Sequence, residues 1–197
     1  MTTSTHRKEL RLFVAITLSR EVRRSLSEAQ SQLRRRLGEG PRWVRPEGSH
    51  LTIKFLGNTP EDRVGQVKEA ISSACRGKSP FAVSTAQLGS FGSPRRPTVI
   101  WLGLNGDMAP LRDLHKHLED RLATMGWPRE TKRFSPHLTL ARMPQRISPQ
   151  VSSRLPAALA EVKVPATSMP VSQINLIRSI LQPDGAQYSD IATFPLE

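Results

Sequence analysis

The sequence predicts an α+β fold with mostly antiparallel sheets. Three observations carry that expectation. Short apolar runs alternate with segments whose apolar residues recur at helical spacing. A strand–helix–strand–strand order appears twice, with connections short enough for hairpins. No low-complexity tract divides the 197 residues, and Pro and Gly fall in short clusters between periodic segments. Residues 1–9 read as a flexible basic tail and residues 10–197 as one domain.

The elements follow in order. Residues 11–18 (RLFVAITL) are apolar and short, as a buried strand requires. Ser19 is placed to cap a helix running to Leu37, with Glu21 in its first turn and Gly38 at its end. Its buried stripe is Val22, Leu26, Ala29, Leu33 and Leu37. A short strand at 43–45 and a turn at 46–48 lead to a longer strand at 50–56. Thr59-Pro60-Glu61-Asp62 reads as a helix start, with Val64, Val67, Ile71 and Cys75 inward. Strands at 81–88 and 98–104 flank an expected loop, GSFGSPRRP. Trp101, in the second of them, is assigned to the core. A third helix over 108–125 turns Leu111, Leu114, Leu118 and Leu122 inward. Strands at 137–142, 174–180 and 188–194 complete the set, with a weaker helix at 149–161 interrupted at Pro156.

Lys and Arg number 29 against 17 Asp and Glu, giving a formal charge of +12. Most of the cations are arginine, whose planar fork matches phosphate, so an anionic partner such as nucleic acid is expected. One cysteine excludes an internal disulfide framework and a multi-cysteine zinc site. No apolar run approaches the roughly 18 residues of a membrane span, and no signal peptide is readable. A soluble cytoplasmic protein with no membrane partner is the expectation.

The informative feature is an internal echo. His50-Leu51-Thr52-Ile53 and His137-Leu138-Thr139-Leu140 share the pattern His-x-Thr-aliphatic, and they use two of only five histidines. Along a strand, side chains alternate faces, so His50 and Thr52 project together about 7 Å apart. Leu51, Ile53 and Phe55 are assigned to the opposite, core-facing side. The second copy repeats the arrangement with His137 and Thr139. Two His–Thr pairs converging on one cleft suit general acid–base chemistry, one imidazole accepting a proton while the other donates. Phosphodiester cleavage fits, because it needs an activated nucleophile, a protonated leaving oxygen and neutralised phosphoryl oxygens. Arg142 can supply the last, but strict alternation puts it on the leucine face, so its participation requires a bulge or a strand end there. Neither motif neighbourhood holds Asp, Glu or Cys to complete a metal shell, and no metal or cofactor is expected.

The stretches RLFVAI, WVRPEGSHLTIKFLG, FGSPRRPTVIWLGL, FSPHLTLAR, LIRSIL, PDGAQY and FPL are spread along nearly the whole chain, from Arg11 to Leu196. In these stretches the sequence resembles the two-histidine phosphoesterase superfamily, specifically the RNA 2′,3′-cyclic phosphodiesterase family, historically called 2′-5′ RNA ligases. The resemblance implies a bilobal fold of two pseudo-symmetric halves, each with a mostly antiparallel sheet and outer helices, around a cleft. It implies metal-independent hydrolysis of RNA 2′,3′-cyclic phosphate ends to 2′-phosphates, and a reverse 2′-5′ ligation. By the same resemblance His50 is the proton donor and His137 the proton acceptor, with Thr52, Thr139 and Arg142 on the phosphate. The residues themselves treat the two histidines alike. Phe134 and Trp43, each just before a motif, are candidates for stacking on RNA bases. The partner is an RNA carrying a 2′,3′-cyclic phosphate or 2′-phosphate end, and the protein is expected to be a monomer. Two other readings stand beside this one: a phosphodiesterase for a small cyclic nucleotide such as ADP-ribose cyclic phosphate, and a non-catalytic RNA-binding module.

Overall fold

The computed structural model describes residues 8–182 and 185–197. Most of the basic tail expected at the N-terminus lies outside them, and Glu9 already belongs to the first strand, β1 (Glu9–Thr17). Leu12 to Ile16 are buried on both faces, because β1 is an interior strand with helices on one side and the floor of a cleft on the other. α1 (Arg20–Leu37) starts as the sequence predicts. The Ser19 hydroxyl accepts from the Val22 amide, the expected stripe is buried, and Gly38 closes the helix at φ 69°.

β2 (Arg42–Trp43) and a 3-10 turn (Pro46–Gly48) precede β3 (His50–Pro60), which runs longer than predicted. The early start of β1 explains the extension, since Glu9 and Leu10 pair with Pro60 and Thr59. Thr59 is therefore a buried strand residue and not a helix cap; its hydroxyl donates to Gly57 O. A 3-10 turn (Glu61–Arg63) intervenes before α2 (Val64–Cys75). Val67, Ile71 and Cys75 are buried as expected, and burial pushes the Cys75 thiol up to about 11.

β4 (Phe81–Ser93) and β5 (Arg96–Asn105) form one long hairpin whose ladder reaches Ser93–Arg96, so most of the predicted loop is strand. Gly89 sits there for packing. A Cβ on it would lie 2.2 Å from the Trp101 ring, which covers the glycine. Trp101 consequently lies on the cleft face of the sheet and not in the helix-side core. α3 (Ala109–Thr124) and β6 (His137–Arg142) match expectation. α4 (Pro149–Glu161) is continuous through Pro156, whose ring faces outward while Val151, Leu155 and Ala158 hold the inner side. β7 (Ser168–Val171) escapes the sequence reading because of Pro170, which is tolerated on the edge strand that β7 is. β8 (Gln173–Gln182) and β9 (Gly185–Pro195) form the last hairpin.

Among the described residues the strands make one nine-stranded antiparallel sheet in the order β7-β4-β5-β6-β3-β1-β8-β9, with β2 beside β6. It divides into two four-stranded halves, and β6 and β3 meet at the seam. α2 and α3 pack together behind one half, touching β9 and β3; α1 and α4 pair behind the other, where α4 touches β4. The main core fills the space between helices and sheet, while Phe13, Ala15 and Ile177 form a small cluster on the opposite, cleft face. Among the described residues no helix is long and apolar enough to cross a membrane.

Candidate active site

Both motif strands lie at the seam. β3 and β6 are in register through Leu51 and Leu138, which sets His50 across from Thr139 and Thr52 across from His137. Each histidine therefore faces the threonine of the other motif. The two histidines are diagonal neighbours, a relation that spaces residues about 7–8 Å apart in a paired ladder. The leucines between them are fully buried on the helix side, anchoring both strands.

Strict alternation then fails in both motifs at the same step. Val14 pairs with Lys54 and Ala15 with Thr52, leaving Ile53 as an extra residue in β3. Ile100 pairs with Ala141 and Trp101 with Thr139, leaving Leu140 as an extra residue in β6. Each bulge keeps two successive residues on the helix side and returns the next to the cleft. Arg142 thereby reaches the cleft, meeting the condition its participation requires. The same device overturns the assignment of Phe55 to the core: the ring is 56% exposed and lines the cleft. Lys54 turns inward in its place, 2.7 Å from Glu119 and donating to Pro128 O at 2.8 Å.

The imidazoles are held alike. His50 Nδ1 donates to Gly48 O at 2.9 Å and His137 Nδ1 to Ser135 O at 2.7 Å, in each case the carbonyl two residues back. A carbonyl can only accept, so Nδ1 carries the proton and Nε2 is left available as base or, once protonated, as acid. Both rings titrate below the ordinary 6.5. Burial is the main cause, the carbonyl bond opposes it, and the Arg142 charge lowers both further. The guanidinium thus lies close enough to both imidazoles to bias each.

The cleft encloses about 760 Å³ and is lined by both histidines, both threonines and Arg142. Sequence reasoning missed several of its walls. The Phe13 ring lies 4.6 Å from the His50 ring, and Tyr188 meets His50 edge-on at 5.0 Å. Phe91 meets His137 edge-on at 4.8 Å. Lys132 and Arg11 add cations. Phe13 lies in an apolar run and Phe91 in an expected loop, so neither position signalled a cleft. Trp43 and Phe134 are placed elsewhere. Trp43 is paired with Ala141, on the helix side, and lies under the Arg34 guanidinium. Phe134 stacks on His115 with ring centroids 4.0 Å apart. Among the described residues no group of three or more His, Cys, Asp and Glu is arranged to hold a metal.

The model of the family described as LigT like phosphoesterase matches this chain twice, over residues 16–101 and 102–188. An RNA 2′,3′-cyclic phosphodiesterase of Methanothermobacter thermautotrophicus is 31% identical over 189 residues, 95% of this chain and 100% of that protein. One of Thermotoga maritima is 31% identical over 91% of each chain. The crystal structure of TT0787 of Thermus thermophilus superposes with a TM-score of 0.76 at 30% identity, covering 95% of this chain and 98% of the other.

Proposed function

The chain belongs to the LigT-like phosphoesterase family, and from that premise we propose that it hydrolyses RNA 2′,3′-cyclic phosphate ends to 2′-phosphates by acid–base catalysis between His50 and His137. The observation that carries the reading is the pair of equivalent imidazoles, each tied at Nδ1 to the carbonyl two residues before it, which leaves Nε2 for proton transfer. His137 Nε2 takes a proton from a water whose oxygen attacks phosphorus. The bond from phosphorus to the 3′ oxygen breaks, and His50 delivers a proton to that oxygen. The product is a 2′-phosphate and a 3′-hydroxyl; the protons re-equilibrate through solvent before the next turnover. Thr52, Thr139 and Arg142 hold the non-bridging oxygens, where charge-assisted bonds are strongest.

The large apolar side chains left exposed include Phe55, Leu181 and Tyr188, and all three line the cleft. They offer the nucleoside that carries the phosphate a stacking wall, the usual way an unpaired base is gripped. The net charge of +12 favours a polynucleotide over a small cyclic nucleotide. Because one chain supplies both halves of the cleft, the enzyme works as a monomer; the two imidazoles supply the acid and the base without a metal, and we place the reaction in the cytoplasm. Rejoining of ends through a 2′-5′ linkage uses the same groups in reverse.

The test is a short RNA ending in a 2′,3′-cyclic phosphate, incubated in excess EDTA with wild type, His50→Ala and His137→Ala. Wild type should yield the 2′-phosphate, and each variant should lose at least about 100-fold, as for a missing acid or base. No turnover of RNA with turnover of a small cyclic nucleotide transfers the reading to that substrate. Binding without turnover of either leaves an RNA-binding module. Activity lost to EDTA and restored by added zinc or manganese refutes the metal-free step.

A further inference from the structure

α1 buries an apolar stripe, and Gln30 stands inside it, 4% exposed beside Leu26, Ala29 and Leu33. An amide in such a place costs stability unless it is hydrogen-bonded. Gln30 Nε2 donates to Val44 O at 2.7 Å and to Leu140 O at 2.9 Å. Leu140 is the extra residue of the β6 bulge. The Val44 amide also donates to Leu140 O, at 2.9 Å, so the segment entering the first motif and the bulge of the second are joined at one carbonyl.

We propose that Gln30 is a positioning residue for Arg142: by pinning the Leu140 carbonyl against Val44 from beneath, it holds β6 in the bulged register that turns Arg142 into the cleft. Without the bulge the strand alternates normally, Ala141 takes the cleft position and Arg142 points toward the helices.

The other half of the molecule repeats the device with different chemistry. Glu119 is the eleventh residue of α3, as Gln30 is the eleventh of α1. It accepts from the Glu130 amide at 3.0 Å, in the segment entering the second motif, and pairs with Lys54 beside the β3 bulge. Each helix thus sets a buried polar group under one motif strand at the same step. Packing alone explains neither residue, since a leucine would fill the same space.

The inference rests on the phosphodiesterase reading only in what Arg142 binds, and its test keeps the two apart. In the full-length chain, Gln30→Met keeps the volume and removes both donors. Inorganic phosphate should bind about 10- to 100-fold more weakly, as in Arg142→Ala, the range for lost hydrogen bonds to a charged group. The double variant should bind no more weakly than Arg142→Ala alone. The His50 and His137 ring protons, followed by NMR, should titrate at higher pH in Gln30→Met, as they should in Arg142→Ala, because the guanidinium no longer faces them. A merely structural role would leave those titrations in place. Folded Gln30→Met with wild-type titrations, or losses that add in the double variant, overturns the proposal. Should Gln30→Met fail to fold, Gln30→Asn, one methylene short of Leu140 O, carries the same expectation. If wild type neither binds phosphate nor cleaves cyclic ends, the phosphodiesterase reading fails, while the imidazole titrations still decide the link from Gln30 to Arg142.

Discussion

Replacing Lys54 by Met should destabilise the protein by about 3–5 kcal/mol, the cost of stranding one member of a buried ion pair. The Lys54 and Glu119 side chains are 3% and 8% exposed and 2.7 Å apart, so the carboxylate left behind cannot recover its lost partner from bulk water. Met keeps most of the stem and its volume, which confines the loss to the ammonium and to its bond to Pro128 O. Adding Glu119→Gln removes the stranded charge and keeps an acceptor for the Glu130 amide. The double variant should therefore return to within about 1–2 kcal/mol of wild type, the residual being the lost hydrogen bonds. Urea unfolding at constant slope measures both. For a chain of this size the single variant should also melt roughly 6–20 °C lower, at about 2–4 °C per kcal/mol. A single variant that loses less than about 1 kcal/mol behaves like a surface pair and refutes the reasoning. So does a double variant no more stable than Lys54→Met.

The pH dependence follows from the two lowered imidazoles. The competent free enzyme has one ring protonated and one neutral, and both rings titrate below 6.5, so kcat/KM should be bell-shaped with its maximum on the acid side of 6.5. Substrate phosphate favours the charged rings, so the kcat maximum should lie at higher pH; a kcat/KM maximum above pH 7 contradicts the burial argument. Stability has the matching sign. The unfolded chain binds protons near 6.5 and the folded one only at lower pH, so the contribution of His50, His137 and the similarly lowered His115 is full above 6.5 and lost as pH falls. Thermal unfolding at pH 7.5 and 5.5 reads it. Separately, Gly89→Ala drives a methyl to within 2.2 Å of Trp101 and should cost about 1–3 kcal/mol by overpacking. Trp101→Leu in the same chain should relieve it, and a fully stable Gly89→Ala single variant would show that the indole swings aside freely.

The parts of the fold that are legible in the sequence are those set by local rules. Ser19, Gly38 and the leucine stripes of α1 and α3 state their helices directly, because caps and the 3.6-residue period act within a few residues. The His-x-Thr pairs are legible for the same reason, since alternation fixes one face over three residues. The bulges are not. Ile53 and Leu140 look like ordinary strand residues, and only the pairing with β1 and β5 makes them extra. Two errors of face follow from that: plain alternation turns Phe55 inward and makes Arg142 conditional. Pro170 and Gly89 mislead in the other direction. Both signal loops locally, but an edge position excuses the first and a neighbouring indole requires the second.

Neither sequence repeat is a half of the molecule. The chain from β1 to β4 gives β1 and β3 to one half-sheet and β4 to the other; the chain from β5 to β9 returns the favour with β8 and β9. The helices are exchanged as well, for α1 leaves a strand of one half and reaches under β6 of the other, while α3 reaches under β3. The molecule is woven, not hinged from two beads. A protease cut between β4 and β5 would leave two fragments gripping each other through five ladders: β4 with β5 and with β7, β1 with β8, and β6 with both β3 and β2. Expressed apart, each fragment would bare long unpaired strand edges and only one of the two imidazoles. Expressed together, they hold every strand needed to weave the sheet again, so the nicked protein should retain its cleft where a simple two-domain enzyme would fall in two.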